Sequence, residues 1–311
     1  MYNISGYFIS AGISTVPFIY TITPLRTGKS FLTLTVLAHQ PTSPLPQNTS
    51  PCFTATISFK HPSPPYTPSS PTPTLSYQST PAEPPLTRFA AILHHTHPRA
   101  LPIRKYTDVH AVIADTSPTP HRSPSFPGLS WAQLPYAHNA LRRTPDPHHA
   151  HPQPARRVTC NAYTARGGVR GDVNLAVCAH LFASDRETIY LAARHLGVRA
   201  EAARGTVASV SHKVVLHDLS WRGVGFPAGE EGDERWFVQE VETDRWADGR
   251  VVVRGRIVDV ETGAHVASTL QDGVLKADFG GDEEAVERVR EGFERGVVVE
   301  REERKTAKAK M

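Results

Sequence analysis

The stretch from Asp172 to Gly197, DVNLAVCAHLFASDRETIYLAARHLG, has the period of an amphipathic helix, and the fold predicted for the second half of the chain depends on it. Asp172 stands immediately before the first apolar residues, where an aspartate makes a favourable helix N-cap. Apolar side chains at i, i+3, i+4 and i+7 then predict one buried face, made of Leu175, Cys178, Ala179 and Phe182. A second apolar stripe continues the helix as far as Gly197, made of Ile189, Ala192, Ala193 and Leu196.

Four strand-like runs follow this helix, at residues 206–216, 236–243, 249–259 and 265–276. In the third run Val251, Val253 and Ile257 share one face, whereas Arg254 and Arg256 share the other. This alternation is typical of a sheet that is covered on one side only. A long helix followed by antiparallel strands predicts an α+β architecture.

The first sixty residues also have strand character. Residues 7–20 and 31–38 are rich in β-branched and aromatic side chains, and the turn residues at 27–29 between them predict a strand, a turn and a second strand. Residues 52–59 alternate apolar and hydroxyl side chains, which predicts another half-buried strand. Three strands alone do not close a domain, so we expect this region to be incomplete by itself.

Proline usage separates the two patterned regions. Of the 27 prolines only Pro227 lies after Pro154, so regular structure is expected mainly in the C-terminal half. Residues 61–155 are rich in Pro, Ser and His and predict a linker that is largely disordered. Residues 281–311 mix acidic and basic side chains over a thin apolar stripe, which predicts a loosely docked helical tail.

Composition argues against several classes of function. A net charge of +4 arises without a basic stripe interleaved with aromatic residues, so nucleic-acid binding is not expected. Cys52, Cys160 and Cys178 form no CxxC pair, which argues against a disulfide framework and a zinc site. The chain has no run of about 18 apolar residues and no basic n-region at its start, so neither a membrane span nor secretion is expected.

The patterned second half resembles a known family. The 172–197 segment, with Leu-Phe-Ala-Ser-Asp at its centre, resembles the central helix of the second hotdog in acyl-CoA thioesterase II. Residues 208–212 (Ala-Ser-Val-Ser-His) are similar to the strand that follows this helix in the family, and residues 236–250 look like the next hairpin in its fungal form. Residues 267–275 match the closing strand, with Gln-Asp-Gly at 271–273 where the family usually has Gln-Glu-Gly.

The first half supports the same resemblance independently. Residues 6–8 (Gly-Tyr-Phe), 16–20 (Val-Pro-Phe-Ile-Tyr) and 25–31 (Leu-Arg-Thr-Gly-Lys-Ser-Phe) resemble the middle of the first hotdog. The opening strand and helix that the family places before them are absent, which implies a truncated first half. The resemblance therefore implies a double hotdog of the fungal peroxisomal type, with an incomplete first half. Its segments are a partial N-terminal hotdog at 1–60, the linker at 61–155, a catalytic C-terminal hotdog at 156–280 and the tail at 281–311.

The resemblance also implies which residues act on the substrate. Hydrolysis of a thioester requires a water held against the carbonyl, a base for its proton and donors for the oxyanion. The family uses an Asp, a Ser or Thr and a Gln around one water, and these roles carry over to Asp185, Ser209 and Gln271. Asp185 is then the base, the Ser209 hydroxyl orients the water, and the Gln271 amide both accepts and donates. Backbone N–H groups near a helix N-terminus are the expected oxyanion donors.

Each of these residues also has a structural interpretation. The Ser-Asp-Arg-Glu sequence at 184–187 matches the S-x-x-E capping box of a following helix, which gives Asp185 a local role. Ser209 is an ordinary polar residue for a strand, and Gln271 can pair across the sheet.

Four neighbouring residues bear on this hypothesis. His212 and His217 are interpreted as packing or surface residues of a strand rather than as catalytic groups. Ser211 departs from the family, which commonly has Asp or Asn there, and reduced activity is expected if that position supports the site electrostatically. Asp272 replaces the usual Glu, which keeps the charge but shortens its reach.

The sequence therefore predicts an acyl-CoA thioesterase that releases a fatty acid and CoA, with no cofactor beyond the CoA of its substrate. Ala309-Lys310-Met311 is a variant of the Ser-Lys-Leu peroxisomal address, which predicts an import receptor as partner and the peroxisomal matrix as location, with the cytoplasm as the alternative. A homodimer is expected because hotdog units usually pair. The rival hypotheses are a catalytically inactive hotdog relic or acyl-CoA-binding protein, and a Pro-rich interaction protein.

Overall fold

The computed structural model describes residues 1–13, 15–41, 49–60, 129–133, 158–165, 168–169, 171–186, 188–195, 207–227, 235–276 and 287. In these ranges the strands are β1 Asn3–Phe8, β2 Ile19–Thr27, β3 Phe31–Pro41, β4 Thr49–Lys60, β5 Leu129–Gln133, β6 Val158–Ala165, β7 Val207–Leu216, β8 Phe237–Ala247, β9 Arg250–Asp259 and β10 His265–Leu275. The helices are α1 Val173–Asp185, α2 Thr188–His195 and α3 Trp221–Val224. None of these helices has the length and apolar character needed to cross a membrane. The predicted linker, apart from β5, and the predicted tail, apart from Glu287, lie outside the described residues.

All ten strands belong to one sheet, in the order β2-β3-β4-β1-β7-β10-β9-β8-β6-β5. Every neighbouring pair is antiparallel. β1 is the junction between the two halves, because it pairs with β4 on one side and with β7 on the other. The first strand of the chain therefore joins the N-terminal strands to the C-terminal strands in one continuous sheet.

The four strands predicted after the helix are present as β7, β8, β9 and β10, and α1 and α2 contact them. The predicted alternation in β9 is confirmed, since Val251, Val253 and Ile257 are buried whereas Arg254 is exposed. The largest core side chains between α1 and the sheet are Tyr163, Leu216, Phe226, Phe237 and Ile257. The predicted α+β architecture, an antiparallel sheet wrapped on a helix, is confirmed.

The prediction of which face of α1 is buried is wrong. Leu175 is 55% exposed, and Cys178 and Phe182 are exposed as well. The buried residues of α1 are Ala176, Val177, His180, Ala183 and Ser184. This face combines small side chains with two polar ones that find hydrogen-bond partners in the interior. Apolar character alone assigns a histidine and a serine to the surface, so the periodic pattern pointed to the opposite face.

The helix also ends earlier than predicted. α1 stops at Asp185, and Arg186 takes an extended conformation (φ −64°, ψ 125°), so that α2 is a separate helix beginning at Thr188. The predicted N-cap is confirmed, because the Asp172 carboxylate accepts hydrogen bonds from two backbone N–H groups of the first turn. The break places Asp185 at the C-terminal end of a helix rather than in its middle.

One of the strands predicted in the N-terminal region is wrong and two are confirmed. Residues 7–20 do not form a single strand, since β1 ends at Phe8 and β2 begins at Ile19, with β3 and β4 lying between them in the sheet. β-branched residues continue through the intervening turn, so composition gives no sign of it. β3 and β4 contain the predicted runs 31–38 and 52–59. β5, which pairs with β6, lies within the segment interpreted as a linker.

The N-terminal half of the sheet differs from the C-terminal half in its helical cover. A row of directly opposed residues runs along one face of the sheet, from Ile22 through Val36, Ala55 and Gly6 to His212. α1 lies on this face at His212, whereas no helix of the described ranges covers β2, β3 and β4. On this face Ile22 of β2 is 58% exposed, whereas Ala55 of β4 is buried. The described first half is thus a sheet without a helical layer.

His180 anchors the middle of α1 in the core. Its Nε2 lies 2.9 Å from the carbonyl oxygen of Val224, which only accepts, so Nε2 carries the proton. Its Nδ1 then accepts a hydrogen bond of 2.7 Å from the Tyr163 hydroxyl. Burial lowers the pKa of His180 to about 4, with the hydrogen bond to Val224 acting in the opposite direction. His180 is therefore neutral at pH 7, with both ring nitrogens satisfied.

A pair of substitutions tests which face of α1 is buried. Val177→Ala removes core methyl groups and is expected to lower the free energy of unfolding by about 1–3 kcal/mol. Leu175→Ala, on the exposed face, is expected to change it by less than about 0.5 kcal/mol. Chemical denaturation of both variants measures the difference. Equal losses, or a larger loss for Leu175→Ala, would contradict the assignment.

The buried His180 predicts a pH dependence of stability. Between pH 6.5, its ordinary pKa, and about pH 4, its pKa in the fold, the unfolded chain binds more protons at this residue than the folded chain. The free energy of unfolding is therefore expected to fall as the pH falls through this window, by on the order of 3 kcal/mol. Denaturation curves at several pH values for wild type and His180→Phe isolate this contribution. Two curves with the same pH slope would show that His180 does not titrate in this way.

Candidate active site

Asp185 is the last residue of α1, and hydrogen bonds to the sheet fix the residue before it. The hydroxyl of Ser184 donates to the Leu181 carbonyl oxygen at 2.7 Å and lies 2.9 Å from Nε2 of His212. The Ser184 carbonyl oxygen accepts a hydrogen bond of 3.1 Å from Nε2 of Gln239. The residue before Asp185 is thus fixed on both its side chain and its backbone by β7 and β8.

A β-bulge in β7 brings Ser209 to the same face of the sheet. Ser211 lies opposite Asp272 and Ser209 lies opposite Gly273, so Val210 is an extra residue in the ladder. In a regular strand Ser209 and His212 point to opposite faces, because side chains alternate. The bulge changes this alternation, and both side chains reach α1.

The structure brings Asp185, Ser209 and Gln271 into one hydrogen-bonded cluster. Nε2 of Gln271 donates to Oδ1 of Asp185 and, at 2.8 Å, to Oγ of Ser209. Oγ of Ser209 donates to the same Asp185 oxygen at 3.4 Å. The three predicted site residues therefore meet, although they come from α1, β7 and β10. Their catalytic roles stay a prediction.

Two acceptor atoms of the cluster have no hydrogen-bond partner among the described residues. Both N–H groups of the Gln271 amide are used, so its Oε1 is the remaining polar atom, and this oxygen is buried without a hydrogen-bond partner among the described residues. Asp185 Oδ2 likewise has no partner in the described part of the chain, and Asp185 itself is only half-buried. A free carboxylate oxygen beside a free amide oxygen can hold a water by both of its hydrogens and take one of them.

The capping-box interpretation of Asp185 is wrong. In a capping box the serine hydroxyl accepts from a backbone N–H of the helix that follows it. Ser184 instead lies inside α1, and its hydroxyl donates back to Leu181. The second partner of this hydroxyl is Nε2 of His212 in the sheet. Ser184 is therefore not the N-cap of a following helix, and the Asp185 carboxylate accepts hydrogen bonds from Ser209 and Gln271.

His212 and Gln239 are the buried polar residues that sequence reasoning did not assign to the site. His212, which the sequence predicts to be a packing or surface residue, is 8% exposed and hydrogen-bonded to Ser184. Gln239 is completely buried in β8, on the same face as Phe237 and Val241. A polar residue in the buried phase of a strand is the signal that could have found both.

The other residues considered around the site lie away from the cluster. His217 is exposed and lies 2.8 Å from the Ser268 hydroxyl. Asp272 forms an ion pair of 2.6 Å with the exposed Arg250, opposite Ser211 in the ladder. No group of three or more metal-ligating side chains occurs in the described ranges.

Comparison with known proteins bears on both halves of the chain. Residues 1–60 match the family model of the acyl-CoA thioesterase N-terminal domain. A search of curated proteins finds no match to the chain. Similar solved structures include the acyl-CoA thioesterase II TesB2 from Mycobacterium marinum, 22% identical with a TM-score of 0.56 over 90% of this chain and 81% of that one. The tesB protein of Mycobacterium avium subspecies paratuberculosis is 16% identical, with a TM-score of 0.53 over 88% of this chain and 78% of that one.

The chain has the hotdog fold. At these identities the structural similarity shows the fold alone, and the match of residues 1–60 adds support for a thioesterase family. In this hotdog α1 is the central helix, and Asp185 lies where the helix breaks above β7 and β10. The large antiparallel sheet is consistent with a double hotdog whose described first half lacks a helix.

Proposed function

We propose that the protein hydrolyses fatty acyl-CoA to a free fatty acid and CoA, with a water activated by Asp185, Ser209 and Gln271. The observation that carries this proposal is the cluster itself, in which a carboxylate, a hydroxyl and an amide from three elements bond to one another. The family-model match at residues 1–60 supports thioester hydrolysis as the reaction class.

The open atoms of the cluster suggest how the reaction proceeds. The water donates to Gln271 Oε1 and to Asp185 Oδ2, which directs a lone pair of its oxygen at the carbonyl carbon of the thioester. As the new C–O bond forms, the proton passes to Asp185, and the oxyanion is met by backbone N–H groups, for which the first turn of α2 is the candidate. The C–S bond then breaks, and the proton on Asp185 passes to the sulfur to give the free CoA thiol.

The hydrogen bonds to Asp185 prepare it for this role. The Gln271 amide and the Ser209 hydroxyl both donate to Oδ1 of Asp185, so Oδ2 is the carboxylate oxygen proposed to meet the water. The acyl chain is proposed to lie between the sheet and α1, with no cofactor beyond the CoA of the substrate.

Release of CoA thiol from medium- and long-chain acyl-CoA tests the function. The wild-type chain is expected to turn over, and Asp185→Asn is expected to lower kcat about 10²- to 10⁴-fold because it removes the base. Asp244→Asn, an exposed aspartate of β8, is the matched control and is expected to keep wild-type kcat. Circular dichroism and thermal unfolding establish that each variant folds.

Two outcomes would contradict this proposal in different ways. Turnover that survives Asp185→Asn would show that Asp185 is not the base, although the protein would still be a thioesterase. A folded wild type without turnover on any acyl-CoA would remove the function, and calorimetric binding of a non-hydrolysable thioether analogue would then favour the acyl-CoA-binding protein over a relic.

We also propose import into the peroxisomal matrix and self-association. The proposed address, Ala309-Lys310-Met311, lies outside the described residues and stays a prediction from the sequence. A homodimer is proposed by analogy with hotdog units, and the exposed apolar residues Tyr20 and Ile22 of β2 are compatible with it.

Localisation of a fluorescent fusion tests the address. A fluorescent protein fused to the N-terminus of the full chain is expected to give puncta that coincide with a peroxisomal marker, and deletion of residues 309–311 is expected to make the signal diffuse. Replacement of the tripeptide by Ser-Lys-Leu is the positive control. Puncta that persist after the deletion, or a diffuse full chain beside a punctate control, would contradict import through this address.

A further inference from the structure

The tautomer of His212 follows from the partners of Ser184. A serine hydroxyl has one proton, and that of Ser184 is donated to the Leu181 carbonyl oxygen at 2.7 Å, which only accepts. The contact of 2.9 Å between Ser184 Oγ and His212 Nε2 must then be a hydrogen bond that the imidazole donates. His212 is therefore protonated on Nε2, and in the neutral ring Nδ1 carries the lone pair.

The other ring nitrogen of His212, Nδ1, lies in the interior. Nδ1 is buried and has no hydrogen-bond partner among the described residues. The side chain is 8% exposed, and burial lowers the pKa of His212, while the nearby Asp185 carboxylate acts in the opposite direction. At neutral pH the ring is thus an uncharged donor to Ser184.

The neighbours of His212 place it beside the cluster. In the ladder His212 lies directly opposite Gln271 of β10 and Gly6 of β1, and both of these residues are uncharged. From α1 the charged group that acts on it is Asp185. Directly opposed residues in an antiparallel pair have Cβ atoms about 4.5–5.5 Å apart. His212 is therefore next to the amide that holds Asp185, and it also holds the residue before Asp185.

We propose that His212 is a positioning residue for Asp185: in its neutral form, protonated on Nε2, it holds the last turn of α1 through Ser184 and so aims the carboxylate at the water. This inference rests on the proposed function. Gln239 holds the same residue through the backbone, at the Ser184 carbonyl oxygen. The turn is thus fixed at two points, and only the one through His212 can be changed by a proton.

Protonation of His212 gives a positioning role a pH dependence of activity that a packing role lacks. A second proton on Nδ1 turns His212 into a cation, and the Asp185 carboxylate is the charged group that interacts with it. Activity is therefore expected to fall as His212 takes up this proton. Replacement by a residue that keeps the donor but cannot be protonated removes this ionisation from the acid limb of the activity profile.

Kinetics of two His212 variants test the proposal. His212→Leu removes the hydrogen bond to Ser184 and is expected to lower kcat roughly ten- to a hundredfold with little change in KM, because the base is misplaced while the substrate site is kept. His212→Gln, whose amide nitrogen can donate to Ser184, is expected to retain most of kcat and to show a less steep acid limb of kcat/KM. His217→Gln, an exposed histidine of the same region, is the matched control and is expected to leave the profile unchanged. Wild-type values for both His212 variants, or a wild-type acid limb in His212→Gln, would overturn the proposal.

Nuclear magnetic resonance of the ring nitrogens tests the same geometry without turnover. In the wild type the ¹⁵N shifts of His212 are expected to show a proton on Nε2 and none on Nδ1 at pH 7, and Ser184→Ala is expected to disturb this pattern. A proton on Nδ1 instead would overturn the inference even in a protein without activity. A wild type that lacks turnover but shows the Nε2 tautomer would contradict the proposed function and, with it, the catalytic role of His212. Turnover in the wild type, together with His212 variants that behave like the wild type, would contradict the role of His212 but leave the proposed function standing.

Discussion

The last turn of α1 is held on the sheet by buried hydrogen bonds, and the geometry of the candidate site depends on them. A buried polar group left without its partner costs about 1–3 kcal/mol, and Ser184 provides a partner for one side-chain nitrogen of Gln239 and one of His212 beneath the helix. The same contacts fix where α1 ends, and therefore where Asp185 projects. The hydrogen bonds that stabilise this turn therefore also determine the position of the carboxylate.

The bulge in β7 is the second constraint, because it decides which side chains share the face below α1. Val210 is the extra residue, and without it Ser209 would face away from the helix. Gly273, opposite Ser209, lets α2 approach closely, since a Cβ at this position would lie 2.7 Å from Cδ1 of Ile189. A tight helix contact and an irregular strand therefore occur at the same level of the sheet, which is where the cluster forms.

The two halves of the sheet are joined but unequally covered. β1 continues the hydrogen-bonded ladder from β4 into β7, so the face below α1 extends without interruption over the N-terminal strands. Gly6, at this junction, has no side chain, and the ring of Phe53 occupies the space that a Cβ would need. On this face Ile22 of β2 is 58% exposed while Ala55 of β4 is buried, and the same face of β7 to β10 forms the core.

The sequence by itself determined the elements whose signals are local. Asp172 as an N-cap, the alternation in β9 and the four C-terminal strands follow from hydrogen bonding and side-chain period over a few residues. The sequence also predicted Asp185, Ser209 and Gln271 as site residues, but only through resemblance to a family. No local sequence pattern links residues that are 24 to 86 positions apart.

Only the tertiary structure decided which face of α1 is buried, where the helix breaks and that β7 contains a bulge. Each of these depends on a partner that is distant in the chain. His180 and Ser184 face inward because Val224 and His212 accept or donate there, and hydrophobicity in a single segment carries no record of those partners. A buried polar face is stable only when its hydrogen bonds are made, and that condition is set by the packing of the whole sheet against the helix.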